Sequence, residues 1–146
     1  LSATVCLRLR ERSGPTLAGQ VLLYPGTAGR TVFPSQSEFD GLVLDHAGRE
    51  AFWAAYSGDR DIDTDPFAAP LHAEDLSGLP PALVVLGGCD VLRDEGRAYA
   101  ERLQAAGVPT EEVCYRGQPH GFLNFMFPAA TEAFELVGRW LRDRFG

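Results

Sequence analysis

Two titratable residues stand where an α/β chain places its chemistry. Asp90 comes two residues after the apolar run ALVVLGG (82–88), and His120 comes four residues after TEEVCYR (110–116). In parallel sheets, functional side chains gather just beyond the C-terminal ends of the strands. A carboxylate that accepts a hydrogen bond from one imidazole nitrogen leaves the other free to take a proton from a hydroxyl. That is two-thirds of an acid–base–nucleophile triad. His120 would act first as general base and then as general acid, because an imidazole titrates near neutrality. Asp90 would fix its tautomer and stabilise the imidazolium. Gly87, Gly88, Gly117 and Gly121 keep that rim uncrowded and let its loops turn sharply. An aspartate after a strand can equally cap the next helix, as Asp90 or Asp94 could here, and a loop histidine is commonly structural. Spacing alone leaves both readings open.

The elements that must position this pair follow from the hydrophobic pattern. Residues 1–12 (LSATVCLRLRER) read as a helix with basic residues at its C-terminal end, stopped by Gly14-Pro15. QVLLYP (20–25) and ALVVLGG (82–88) are short unbroken apolar runs, the signature of parallel strands buried on both faces. LDHAGREAFWAAY (44–56) is helical, with Asp45 as its cap and Phe52, Trp53 and Tyr56 on one face. Residues 26–34 turn to loop composition, and 57–81 are loop-rich, punctuated by Pro66, Pro70, Pro80 and Pro81. Residues 95–106 form a helix closed by Gly107. Residues 110–116 form a strand near an edge, with one wetter face. A last helix spans 128–145, with Ala130, Ala133, Phe134, Val137, Trp140 and Leu141 in one stripe. Strands alternating with helices predict an α/β fold, a parallel sheet flanked by helices, with a cap-like insertion over about 26–81.

Composition narrows the classes. The 146 residues are 45% hydrophobic and 23% charged, values of a globular chain. A net charge of −7 without a Lys/Arg cluster argues against a nucleic-acid partner. No apolar run is long enough to span a bilayer. The odd number of cysteines (Cys6, Cys89 and Cys114), none at metal spacing, points to reduced thiols and a cytoplasmic protein.

The ordered motifs carry a resemblance. LGGCDVLRDEG (86–96) resembles the D-x-L-x-D-E block of the hormone-sensitive-lipase-like family of α/β-hydrolases, the bacterial carboxylesterases. PHGF (119–122) is similar to that family's H-G-F block. LAGQVLLYP (17–25), the stretch from Asp65 to Val84 and AYAERLQAAGVPTE (98–111) match in the same order, so the resemblance covers essentially the whole chain. It implies a partial α/β-hydrolase fold, with Asp90 as triad acid and His120 as triad base. The activity it implies is hydrolysis of small-molecule esters without a cofactor, in a family that also contains lipases and amidases.

The departures are as plain. The family's H-G-G-G oxyanion loop and G-D-S-A-G-G nucleophile elbow do not occur here. The elbow runs into a helix like residues 1–12, so the serine is expected a few residues upstream of Leu1. No residue substitutes for it. Ser2, Ser13, Ser35, Ser37, Ser57 and Ser77 lack a glycine-flanked elbow; Cys6 falls within a helix and Cys114 within a strand, and Cys89 closes the buried strand 82–88 as a packed thiol. This chain alone is therefore expected to be inactive. Two alternatives stand: a non-catalytic fragment that binds a partner, or a half-enzyme completed in trans. An apolar strand at Val21 that expects neighbours on both sides predicts pairing of the chain through that edge, as a homodimer or an aggregate.

The remaining candidates have competing explanations. Phe52, Trp53 and Tyr56 could line an acyl pocket or pack the helix onto the core. Phe122 could touch substrate, although with Phe125, Met126 and Phe127 it more economically buries the loop after His120. His46 and His72 have no ligand partner at metal spacing and read as surface histidines. Asp59, Asp61, Asp63 and Asp65 alternate as in a calcium loop but lack its glycine and terminal glutamate, so a solvated loop is expected.

Overall fold

The strands β1 (Gln20–Leu23), β2 (Ala82–Cys89) and β3 (Thr110–Pro119) form one parallel sheet in the order β1-β2-β3. The computed structural model describes residues 1–58, 60–63 and 65–146. Helices α1 (Ser2–Glu11), α2 (Pro34–Glu38), α3 (His46–Ser57), α4 (Arg93–Ala105) and α5 (Pro128–Phe145) surround it. Strand side chains alternate between faces, and here each face has its own core. Leu22, Ala82, Val84 and Leu86 pack with Ala3, Cys6 and Leu7 of α1 and Tyr99, Ala100 and Leu103 of α4. Leu83 and Val85 face the other way, onto Ala130, Ala133 and Trp140 of α5. Leu83, Val84, Val85 and Leu86 are fully buried, each stabilising the fold by about 1.5–3 kcal/mol relative to exposure.

Local chemistry sets several element ends. Asp45 Oδ1 accepts from Gly48 N at 2.7 Å and caps α3. Pro128 opens α5 at a position that needs no N–H. Gly107 turns at φ +77° after α4, and Val108 N donates back to Leu103 O. Cys6, Cys89 and Cys114 are free thiols.

Several features differ from expectation. Residues 34–38, for which no element was expected, form α2, which Pro34 starts and Ser35 anchors: its hydroxyl donates to Val91 O and its amide donates to Asp94 Oδ2. Strand β3 runs on to Pro119, because past Arg116 its backbone bulges and returns to pair with Cys89. Strand β1 is an edge, with Gln20 and Leu22 buried and Val21 and Leu23 only half-buried. Phe134 is exposed, since the face of α5 that meets the sheet is centred on Ala130, Ala133 and Trp140. Phe125, Met126 and Phe127 are exposed rather than buried. Phe125 and Phe127 lie against each other with ring centroids 5.5 Å apart, and Met126 is fully exposed.

Candidate active site

Strands β2 and β3 deliver Asp90 and His120 to the same rim. Up to Gly87–Tyr115 the two strands are paired in step; the next pair is Cys89–Pro119. Strand β2 thus advances two residues while β3 advances four, and the surplus bulges out around Gly117 at φ +73°. The bulge brings His120 level with Asp90. It requires glycine opposite: a Cβ on Gly87 would lie 2.6 Å from Gln118 O, and one on Gly88 would lie 3.0 Å from Arg116 Cα.

The two side chains meet. His120 Nδ1 is 3.0 Å from Asp90 Oδ2 and 3.2 Å from Oδ1. Asp90 Oδ1 also accepts from Leu92 N at 2.8 Å, which locks the carboxylate from its other side. A carboxylate can only accept, so this pairing puts the ring proton on Nδ1 and leaves the Nε2 lone pair free. Asp90 is 1% exposed, whereas the His120 side chain is 24% exposed. The acid is sealed and the imidazole is reachable. Asp90 does not cap α4; the residue preceding that helix is Leu92, with no side-chain cap.

Tyr24, which the sequence did not single out, completes the setting. It ends β1 at the same rim, and its ring meets the His120 imidazole edge-on at 4.9 Å. Burial pushes its phenol pKa up, a hydrogen bond with Asn124 opposes this, and the Asp90 charge adds to the rise. Tyr24 (φ +37°) and Val43 (φ +75°) both hold left-handed backbone, an uncommon state for such side chains. The position of Tyr24 at a strand end was the available signal.

A cavity of about 380 Å³ opens on His120, walled by Val43, Leu44, Phe52, Trp53 and Leu92. Phe52 and Trp53 also line an adjoining cavity of about 320 Å³ with Tyr56. All three aromatics thus face open space beside the site, and none is fully buried. Phe122 is fully buried, with its ring against Tyr24 and Tyr115. His46 and His72 are exposed, with His72 bonded to Thr31 and Ala28. Asp59 lies outside the described residues; Asp63 and Asp65 accept from Arg30 N and Phe67 N, and Asp61 accepts from Asp63 N. Among the described residues no group of three or more His, Cys, Asp or Glu side chains could hold a metal ion, and no serine or cysteine is hydrogen-bonded to His120.

Behind the cavity lies a second missed group, a buried ion pair. Glu95 of α4, 1% exposed, accepts from Thr27 N at 2.7 Å and Ala28 N at 3.4 Å. Its other oxygen lies 3.4 Å from Gln36 Nε2 and 3.8 Å from Arg49 Nη2. Burial raises its pKa to about 7, against the pull of those donors.

Residues 1–124 match a family model described as the alpha/beta hydrolase fold. The chain is 39% identical over 137 residues to esterase LipI of Mycobacterium tuberculosis, covering 91% of this chain and 43% of that protein. It is 42% identical over 134 residues to the carboxylic ester hydrolase LipN of the same organism, covering 85% and 35%. Among solved structures, a thermostable esterase from Pseudomonas putida superposes with a TM-score of 0.92 at 38% identity, covering 99% of this chain and 47% of that one. The chain spans less than half the length of the relatives it matches.

Proposed function

The chain belongs to the hormone-sensitive-lipase-like family of α/β-hydrolases, and from that premise we propose that it is the acid–base half of a serine carboxylesterase. The observation that carries the reading is the Asp90–His120 pair, presented in register from adjacent strands with Nδ1 engaged. His120 Nε2 takes the proton of a serine hydroxyl as its oxygen attacks the ester carbonyl. It then returns that proton to the departing alkoxide, leaving an acyl-enzyme. In the second half a water loses its proton to Nε2, attacks the acyl carbon, and the serine recovers the proton. Asp90 holds the tautomer throughout and stabilises the imidazolium.

The serine and the oxyanion amides lie, on this reading, in sequence outside these 146 residues, and the open edge of β1 is where that part of the sheet pairs. Without that cover the same edge would pair two copies of this chain. The wall from Val43 to Trp53 shapes the acyl side and favours small or short-acyl esters. No helix among the described residues is long and apolar enough to cross a membrane, and three unpaired thiols suit a cytoplasmic setting.

Labelling tests the assignment. An aryl phosphonate applied to the protein with its upstream sequence should modify one serine outside residues 1–146, mapped by mass spectrometry. Labelling of Ser2, Ser13, Ser35, Ser37, Ser57 or Ser77 instead would overturn it.

A further inference from the structure

Helix α3 is held in an unusual way. Helices in folded proteins normally dock through an apolar face. Of the twelve residues of α3, only Arg49 and Ser57 are buried; none of its alanines or aromatics is, and Phe52 is 72% exposed. Ser57 turns back onto its own end, donating to Gly58 O and accepting from Arg30 at 3.4 Å. What enters the interior is therefore the Arg49 guanidinium, 5% exposed. The carboxylate that meets it is Glu95, on the first turn of α4, directly after the Asp90 loop. Glu95 also ties down the backbone after β1 through Thr27 and Ala28, and α2 through Gln36. One carboxylate thus joins α4 to the segment after β1, to α2 and to α3.

Arg49, Phe52 and Trp53 stand at i, i+3 and i+4, on one face of α3. A pin at the first fixes where the other two sit. We propose that the Arg49–Glu95 pair is a latch that holds the Phe52–Trp53 wall over His120 and so sets the acyl length the site accepts. The acyl-length half of this inference rests on the esterase reading; the latch itself does not. A buried pair with one member removed leaves an uncompensated charge, so Arg49→Met should free α3 from Glu95. Arg49→Lys keeps a cation on a flexible stem and should restore the wall in part.

Trp53 reports the wall directly. With Trp140→Phe as background, Trp53 is the only tryptophan. At pH 8, Arg49→Met should shift its emission to the red and raise its quenching by acrylamide, and Arg49→Lys should fall between. With Trp53→Phe as background, Trp140 on the sheet should not respond to Arg49→Met. If the Trp140 replacement does not fold, amide exchange in the otherwise unaltered chain replaces it, with faster exchange expected in 46–57 and no change in 82–89. Unchanged Trp53 and unchanged exchange in 46–57 would overturn the latch, as would equal loosening of Trp140 and 82–89. In the enzyme carrying its serine half, Arg49→Met should raise kcat/KM for long-acyl relative to short-acyl nitrophenyl esters. An unchanged ratio would overturn the specificity claim. No hydrolysis by either form would sink the esterase reading, while the Trp53 result would still judge the latch.

Discussion

Replacing Asp90 by Asn inverts one hydrogen bond and little else. The side chain is sealed, with Oδ1 accepting from Leu92 N at 2.8 Å and Oδ2 facing His120 Nδ1 at 3.0 Å. An asparagine of the same shape keeps its carbonyl oxygen on the Leu92 amide, since the reverse would set two donors against each other. Its amide nitrogen then faces Nδ1 and donates. Nδ1 must become the acceptor, the ring proton moves to Nε2, and the nitrogen that should accept the serine proton no longer can. Loss of the correct tautomer in a triad costs on the order of 10⁴ in kcat, or about 5.4 kcal/mol at about 1.36 kcal/mol per decade. Folding should change little, because both contacts survive and only the one to His120 exchanges donor and acceptor. Two assays apply: turnover of a short-acyl aryl ester by the enzyme with its serine half, and ¹⁵N NMR of the neutral His120 ring in this chain. A loss of less than tenfold, or a proton still on Nδ1 in the variant, would refute the reasoning.

Other consequences are as specific. Gly87→Ala puts a Cβ 2.6 Å from Gln118 O and 3.0 Å from Pro119 O, both backbone; urea unfolding should show a loss of about 1–3 kcal/mol, and a neutral result would contradict the close approach of β3. Burial raises the Cys6 thiol to about 11, so iodoacetamide at pH 8 should leave Cys6 unmodified in the native chain and alkylate it in urea; prompt native labelling would count against its place on the buried face of α1. Glu95 has a folded pKa of about 7, above the ordinary 4.5. Its protonated form favours the fold, so its contribution is complete below about pH 4.5 and is lost as pH rises through about 7. Stability measured across that window should fall in the native sequence and stay flatter in Glu95→Gln, and equal slopes would refute the assignment.

What was legible in the sequence depended on range. ALVVLGG announced a strand buried on both faces because its neighbours in sequence carry the whole signal, and α4 and α5 showed their helical periods for the same reason. Asp90 and His120 were legible as a pair, since each follows a strand end at the same rim. The bulge at Gly117 that brings them level was not, because only the partner strand makes it necessary. The five residues of α2 are too short and too polar for a periodic pattern; Val91 and Asp94 anchor them. Nothing local in the sequence marks Arg49 and Glu95 as a pair, because only the crossing of distant segments buries them together. Phe134 failed in the opposite sense: it stands beside the buried stripe, and the sheet extends only as far as Trp140 and Ala133 cover.

The central claim is that His120, oriented by Asp90, is the proton carrier of ester hydrolysis. The most direct measurement is kcat for a short-acyl nitrophenyl ester with the serine half present, in the native sequence and in His120→Ala. The account predicts measurable turnover in the first, a loss on the order of 10⁶ in the second, and none above background from the 146 residues alone. A joined enzyme indifferent to His120→Ala, or serine-type turnover by the isolated chain, would contradict it.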